Sequence, residues 1–264
     1  MVESVPYDDV APTFDRRYDI ETYGGVERAL FALCAAPGAR VLEVGCGTGH
    51  WLELLSLRGV SVAGLEPSRQ MLARARDKGF DGELVEGVAE AIPWEDGSFD
   101  RVICINALHH FTDRAAFMSE AARVLRPNGV VWSVGLDPHT GLDRWFVYDL
   151  FEGARERDLT RYPSTPSIRA AMAAAGLRDA ATEAVQRFPV WMPVTQLLAE
   201  GHADRHATSQ LSLLTDDAYA RGRAALERMA EDERASGAPT NIGADLTLYA
   251  TSGRRRDDRA ISRR

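Results

Sequence analysis

Along the chain, from residue 39 onward, short β-rich runs alternate with segments whose apolar positions recur at helical spacing. Residues 39–44, 60–65, 82–86, 101–105 and 130–135 read as strands, and 49–58, 68–78 and 112–125 as helices. Alternation of this kind predicts βαβ units on a parallel sheet with right-handed crossovers. The helix over 112–125 runs into Arg126, Pro127, Asn128 and Gly129, and the Asn-Gly pair supplies the left-handed residue expected to end it.

Beyond Gly135 the rhythm changes. Residues 137–163 are aromatic and charged, with Trp145, Phe146, Tyr148 and Phe151 spaced to share a helical face, which fits either a packed core or the wall of an apolar pocket. Ser164, Thr165 and Pro166 open an Ala-rich helix ending at Gly176, with a hydroxyl cap and Pro in the first turn. Strands are expected over 180–188 and 245–252. Between them, 189–243 carries helical periodicity at 194–198 and 218–229, an insertion long enough to form a helical lid or an interaction element. The expected organisation is an acidic, Tyr-rich cover segment (1–25), an α/β core (26–188 and 244–252), the lid (189–243) and a basic, solvated tail (253–264).

Composition narrows the function classes. With 31 Lys and Arg against 39 Asp and Glu, the formal charge of −8 disfavours a nucleic-acid partner. The three cysteines, Cys34, Cys46 and Cys104, have neither metal-ligand nor CxxC spacing, so no metal is expected and a reducing, cytoplasmic location is. The first residues lack a signal-peptide pattern, and no stretch approaches the roughly 18 apolar residues of a membrane span, so no membrane association is expected.

The chemistry concentrates at Glu43-Val44-Gly45-Cys46-Gly47-Thr48-Gly49, which follows a hydrophobic strand and opens a helix. Alternate glycines let the backbone turn sharply and approach a ligand closely, while the N–H groups of the next helix face an anionic or polar group. A dinucleotide fingerprint, G-x-G-x-x-G, requires glycine where this chain has His50, which weakens a nicotinamide oxidoreductase reading. Glu43, at the carboxyl end of the first strand, suits the cationic part of a zwitterionic ligand better than a pyrophosphate. Glu66, at the tip of the second strand, is placed for the two hydroxyls of a ribose.

Glu43-x-Gly45-x-Gly47-x-Gly49, Glu66-Pro67-Ser68 with Met71-Leu72-x-x-Ala75-Arg76, Phe99-Asp100, His109-His110-Phe111 and Leu125-Arg126-Pro127-Asn128-Gly129, in this order, resemble the UbiE-related (methyltransferase type 11) class I methyltransferases. The resemblance covers roughly residues 18–135. It implies a Rossmann-like, doubly wound α/β sheet, mostly parallel with an antiparallel last strand, and S-adenosyl-L-methionine as cofactor. It further implies that Gly45, Cys46, Gly47 and Gly49 hold the methionine part, Glu66 the ribose, and Val88 and Ala89 the adenine edge. Asn106 would form the rim near the sulfonium, and Leu65 and Pro67 would wall the purine. Tyr18 and Tyr23, ahead of the core, are placed either to cover the cofactor from a folded-over N-terminal segment or to pack a short amphipathic helix. Many relatives carry Asp at the position of Val88, so a contact to the adenine amino group is expected to be lost or replaced by main chain here.

Methyl transfer from a sulfonium needs alignment and exclusion of water rather than a covalent nucleophile. If the acceptor must lose a proton, His109 and His110, just after the fourth strand, are the best-placed bases, ahead of His139. The expected function is methylation of an O, N or C atom of a small, apolar or aromatic metabolite by a monomer or homodimer. The alternatives are a cofactor-binding protein without methyl transfer and an NAD(P)-dependent oxidoreductase.

Overall fold

The computed structural model describes residues 11, 14–15, 18, 23–34 and 38–257. Helix α1 (Gly24–Cys34) buries Val26, Leu30 and Cys34 and leads into β1 (Arg40–Val44), whose Val41, Leu42 and Val44 are buried. The chain then alternates α2 (His50–Ser56), β2 (Ser61–Glu66), α3 (Arg69–Asp77) and β3 (Gly82–Glu86) before returning in β4 (Phe99–Ile105), α4 (Arg114–Val124) and β5 (Leu125–Leu136). The long helices start where the sequence supplies caps: Ser68 Oγ accepts from Met71 N, and the Asp113 carboxylate accepts from Ala115 N and Ala116 N.

One expectation is corrected at the end of α4. The helix stops at Val124, and Leu125 is already extended and registered with Phe99 of β4. Sheet pairing captures the chain before Asn128, whose left-handed φ of 65° instead shapes the bend that carries β5 from Leu125 to its continuous pairing at Val130.

β2 lies on one side of β1 and β4 on the other, each parallel to it, and the strand order is β3-β2-β1-β4-β5. Because the chain winds outward from β1 to β3 and then crosses back to β4, the winding reverses between β1 and β4. In open α/β sheets the crevice at the carboxyl ends of two such strands is where ligands bind.

After Leu136 the chain passes through β6 (Arg144–Trp145), α5 (Phe146–Leu150) and α6 (Ala154–Arg161), then α7 (Thr165–Ala174) and β7 (Leu177–Pro193). It continues through α8 (Val194–Ala199), α9 (Ser209–Ser212) and α10 (Asp216–Ser236) and ends in β8 (Asn241–Arg255). β8 extends the sheet antiparallel to β5, from Val130↔Arg254 to Leu136↔Leu248, and β7 pairs with β8.

These elements form two compact units. The larger holds the described residues up to Leu136, Pro163–Gln186 and the described residues from Leu248 onward. Its core packs Leu42, Val44, Phe99, Val102, Phe117 and Val131 between sheet and helices. The smaller holds Asp137–Tyr162 and Arg187–Thr247. There Trp145, Phe146 and Phe151 are buried with Val194, Leu211 and Leu226. Beside that core, the buried Asp158 accepts from Tyr148 Oη at 2.7 Å and from Gln210 Nε2 at 2.8 Å. The aromatic stripe is therefore the core of the smaller unit. Among the described residues, no helix is long and apolar enough to cross a membrane.

Candidate functional site

The turn after β1 is held open by three left-handed glycines, with φ of 75° at Gly45, 52° at Gly47 and 74° at Gly49. Left-handed backbone costs a residue with a Cβ roughly 1–2 kcal/mol. Space excludes side chains as well: a Cβ on Gly45 would lie 2.5 Å from the Ala107 Cβ, and one on Gly49 3.0 Å from the Phe80 ring. Gly45 N and Cys46 N both donate to the Leu65 carbonyl, at 2.8 and 3.2 Å, which brings the turn against the end of β2.

Glu66 connects three segments. Its Oε2 accepts from Gly47 N and its Oε1 from Ser68 N, each at 3.0 Å, while its carbonyl accepts from Gly87 N at 3.3 Å. The carboxylate thus ties the glycine turn to the start of α3, and the backbone ties β2 to the loop after β3. A carboxylate oxygen can accept more than one hydrogen bond, so these amide contacts are compatible with accepting from a diol.

Glu43 is 1% exposed, and its Oε2 has no hydrogen-bond partner among the described residues. Burial, reinforced by the neighbouring Glu66 carboxylate and opposed by Lys78, pushes its carboxyl well above the usual carboxylate range. A buried acceptor without a donor is costly unless something else supplies one. Cys46, also buried, has its thiol pushed well up by burial and by the carboxylates of Glu43 and Glu66, the opposite of an activated thiolate.

The loop after β3 leaves Val88 49% exposed and buries Ala89. Leu65 belongs to the sheet core, so the exposed Pro67 is the apolar surface remaining at the tip of β2. At the end of β4, Asn106 adopts φ 51° with its N–H on the Val134 carbonyl at 2.8 Å, and the next residue, Ala107, meets Gly45. The 3-10 turn Leu108–His110 follows, with His109 buried, His110 more exposed and their ring centroids 3.9 Å apart. His139 lies in the smaller unit, its Nε2 2.9 Å from the Tyr162 carbonyl.

The N-terminal residues contribute contacts that sequence reasoning missed. Thr48, buried inside the glycine turn, donates its hydroxyl to Asp15. Lys78 Nζ in turn lies 3.1 Å from Asp15 Oδ2 and 3.6 Å from Glu53 Oε2. Tyr18 stacks on His50 with centroids 3.6 Å apart and planes 5° off parallel, and Tyr18 and Tyr23 both meet the Trp51 ring edge-on. Burial and Lys78, opposed by Asp15, lower the His50 pKa to about 4. No spacing rule links Asp15 to Thr48; only the Tyr-rich character of the segment hinted at a cover.

A groove of about 410 Å³, lined by Arg40, Ser61, Asp81 and Glu83, lies at the opposite, amino-terminal ends of β1 to β3. Arg40 is already paired with Glu83 at 2.9 Å. The glycine turn, with its unpartnered buried carboxylate oxygen and the switch in strand order beside it, is the stronger candidate for chemistry.

A family model described as "Methyltransferase domain" matches residues 42–133. The chain is 31% identical over 201 residues to a demethylmenaquinone methyltransferase of Beutenbergia cavernae, a match covering 74% of this chain and 79% of that protein. It is 34% identical over 127 residues to a demethylmenaquinone methyltransferase of Renibacterium salmoninarum, covering 47% of this chain and 54%, about half, of that one. Among solved structures, the protein bound to the Trm112 methyltransferase activator of Haloferax volcanii superposes with a TM-score of 0.63 over 96% of this chain and all of that chain, at 21% identity.

Proposed function

The chain belongs to the class I S-adenosylmethionine-dependent methyltransferases, and on that footing we propose that it transfers a methyl group from S-adenosylmethionine to an O, N or C atom of a small, apolar or aromatic metabolite. The observation that carries the reading is the Oε2 of buried Glu43, unpartnered among the described residues, in electrostatic contact with the Glu66 carboxylate and just before the left-handed glycines. Together they match a ligand that brings an ammonium, a sugar diol and a close approach to backbone.

In this reading Glu43 receives the ammonium, and the backbone of Gly45, Cys46, Gly47 and Gly49 surrounds the amino-acid part. Glu66, at the tip of β2, takes the ribose hydroxyls. Pro67, Val88 and Ala89 flank the purine, Asn106 forms the rim, and Tyr18 covers the ligand. When bound, S-adenosylmethionine supplies a methyl group activated on a sulfonium. The protein's own task is to align the acceptor atom and exclude water. Where the acceptor carries a proton, His110 or His109 accepts it, and the greater exposure of His110 favours it.

The name demethylmenaquinone methyltransferase, carried by both relatives above, supports a small-molecule acceptor. The test is incubation with methyl-labelled S-adenosylmethionine and a metabolite extract. The expected result is label in a small-molecule product with stoichiometric S-adenosylhomocysteine; cofactor bound without any labelled product would leave only a binding role.

A further inference from the structure

The loop that follows β3 is held by charged side chains at two places, Glu90 and the stretch from Ile92 to Trp94. Farther from β3, Glu120 Oε2 accepts from Ile92 N at 2.8 Å, while Arg123 donates to the carbonyls of Ile92 and Trp94, each at 2.8 Å. Arg123 also pairs with Glu120 at 2.8 Å, and this pairing lowers the Glu120 pKa and holds its carboxylate charged.

Nearer to β3 the holding side chain is Glu90. Its Oε1 accepts from two consecutive amides, Thr112 N at 2.8 Å and Asp113 N at 3.0 Å. Asp113 is itself the N-cap of α4, so Glu90 fixes the backbone immediately before the helix, one residue beyond Phe111 and two beyond His110. A carboxylate shared by successive N–H groups at a helix start is held both by charge-assisted hydrogen bonds and by the helix dipole. Val88 lies two residues before Glu90 in the other direction.

We propose that Glu90 is a positioning residue that locks the loop carrying Val88 and Ala89 to the segment carrying His109 and His110, holding the purine side of the site and the candidate base in one register. The inference rests on the cofactor and base placements proposed above. The Glu120 and Arg123 grip retains the loop when Glu90 is removed, so loss of Glu90 disturbs local register rather than the fold.

The test compares Glu90→Ala, Glu90→Asp and Glu90→Gln in the full chain by two measurements. Without ligand, the imidazole resonances of His109 and His110 are followed by NMR. They are expected to move in Glu90→Ala and in Glu90→Asp, which keeps the charge but falls one methylene short, and to stay in place in Glu90→Gln, whose carbonyl still accepts. With S-adenosylhomocysteine, calorimetry is expected to show affinity lowered about tenfold in the Ala and Asp variants and largely restored in Gln, since it is the reach of an acceptor oxygen to the two amides that sets the register. Unmoved resonances in Glu90→Asp, or Glu90→Gln as impaired as Glu90→Ala, would overturn the proposal. A wild-type protein that fails to bind S-adenosylhomocysteine would instead overturn the cofactor assignment, leaving the ligand-free resonances to decide the role of Glu90. Should Glu90→Ala fail to fold, the Asp and Gln pair decides it.

Discussion

The amide of Gly47 donates to Glu66 Oε2 at 3.0 Å, so the glycine turn after β1 and the carboxylate at the tip of β2 form one hydrogen-bonded structure. Whatever binds at the turn meets a carboxylate already oriented by the turn itself, which is preorganisation of the kind that lowers the cost of binding.

Glu66→Ala is expected to remove the ribose acceptor and to leave Gly47 N and Ser68 N without their carboxylate. Loss of charged hydrogen bonds of this type costs on the order of 1–3 kcal/mol. Calorimetry with S-adenosylhomocysteine should show a corresponding fall in affinity, and an unchanged dissociation constant would count against the ribose role.

Glu43 makes stability depend on pH in an unusual direction. Its carboxyl is raised in the folded protein, chiefly by burial, above a reference value of 4.5. As pH rises past 4.5 the unfolded chain loses this proton while the folded chain keeps it, so the folded state binds more protons and is destabilised by increasing pH across that window. Glu43→Gln, neutral at every pH, should therefore be more stable than wild type at pH 8 and similar near pH 4, as read from urea midpoints, while binding S-adenosylhomocysteine more weakly. Parallel stability profiles for the two proteins would refute the buried, protonated carboxyl.

Gly45→Ala combines a left-handed φ of 75° with a Cβ placed 2.5 Å from that of Ala107. Overpacking of this kind costs typically about 1–3 kcal/mol, beyond the roughly 1–2 kcal/mol of the backbone conformation. Denaturant unfolding should show a loss in that combined range, with the turn pushed away from Ala107 and cofactor affinity falling in parallel.

Val88→Asp tests where the purine lies. The side chain is 49% exposed, so a new carboxylate there remains solvated and should leave the unfolding midpoint nearly unchanged. If the adenine amino group is adjacent, the variant should bind S-adenosylhomocysteine more tightly than wild type. Equal or weaker binding would move the purine elsewhere.

Much of the larger unit was legible because its signals are local. β1, β2 and the glycine turn announce themselves within a few residues of sequence, and Glu43 and Glu66 were placed merely by standing at strand ends. The helix end falls within one residue of the expected Leu125, but the Asn-Gly pair does not set it: pairing of Leu125 with Phe99, 26 positions earlier in the chain, captures the chain first.

Other features have no local signature at all. Periodicity marked helices near 194–198 and 218–229, but the shared core of Phe151 with Leu211 and Leu226, and the hydrogen bonds from Tyr148 and Gln210 to Asp158, join segments far apart in the chain. The same holds for Asp15 with Thr48 and for Glu90 with the amides of Thr112 and Asp113.

The sequence by itself determined the order of strands and helices from β1 to β5, the left-handed turn and the carboxylates at the strand tips, since backbone sterics and hydrophobic period act over a handful of neighbours. Only the tertiary structure decided which carboxylate oxygen stays unpartnered, which amides Glu66 and Glu90 receive, and which aromatic residues become core. Those outcomes depend on burial and on partners that the chain brings together only when it folds.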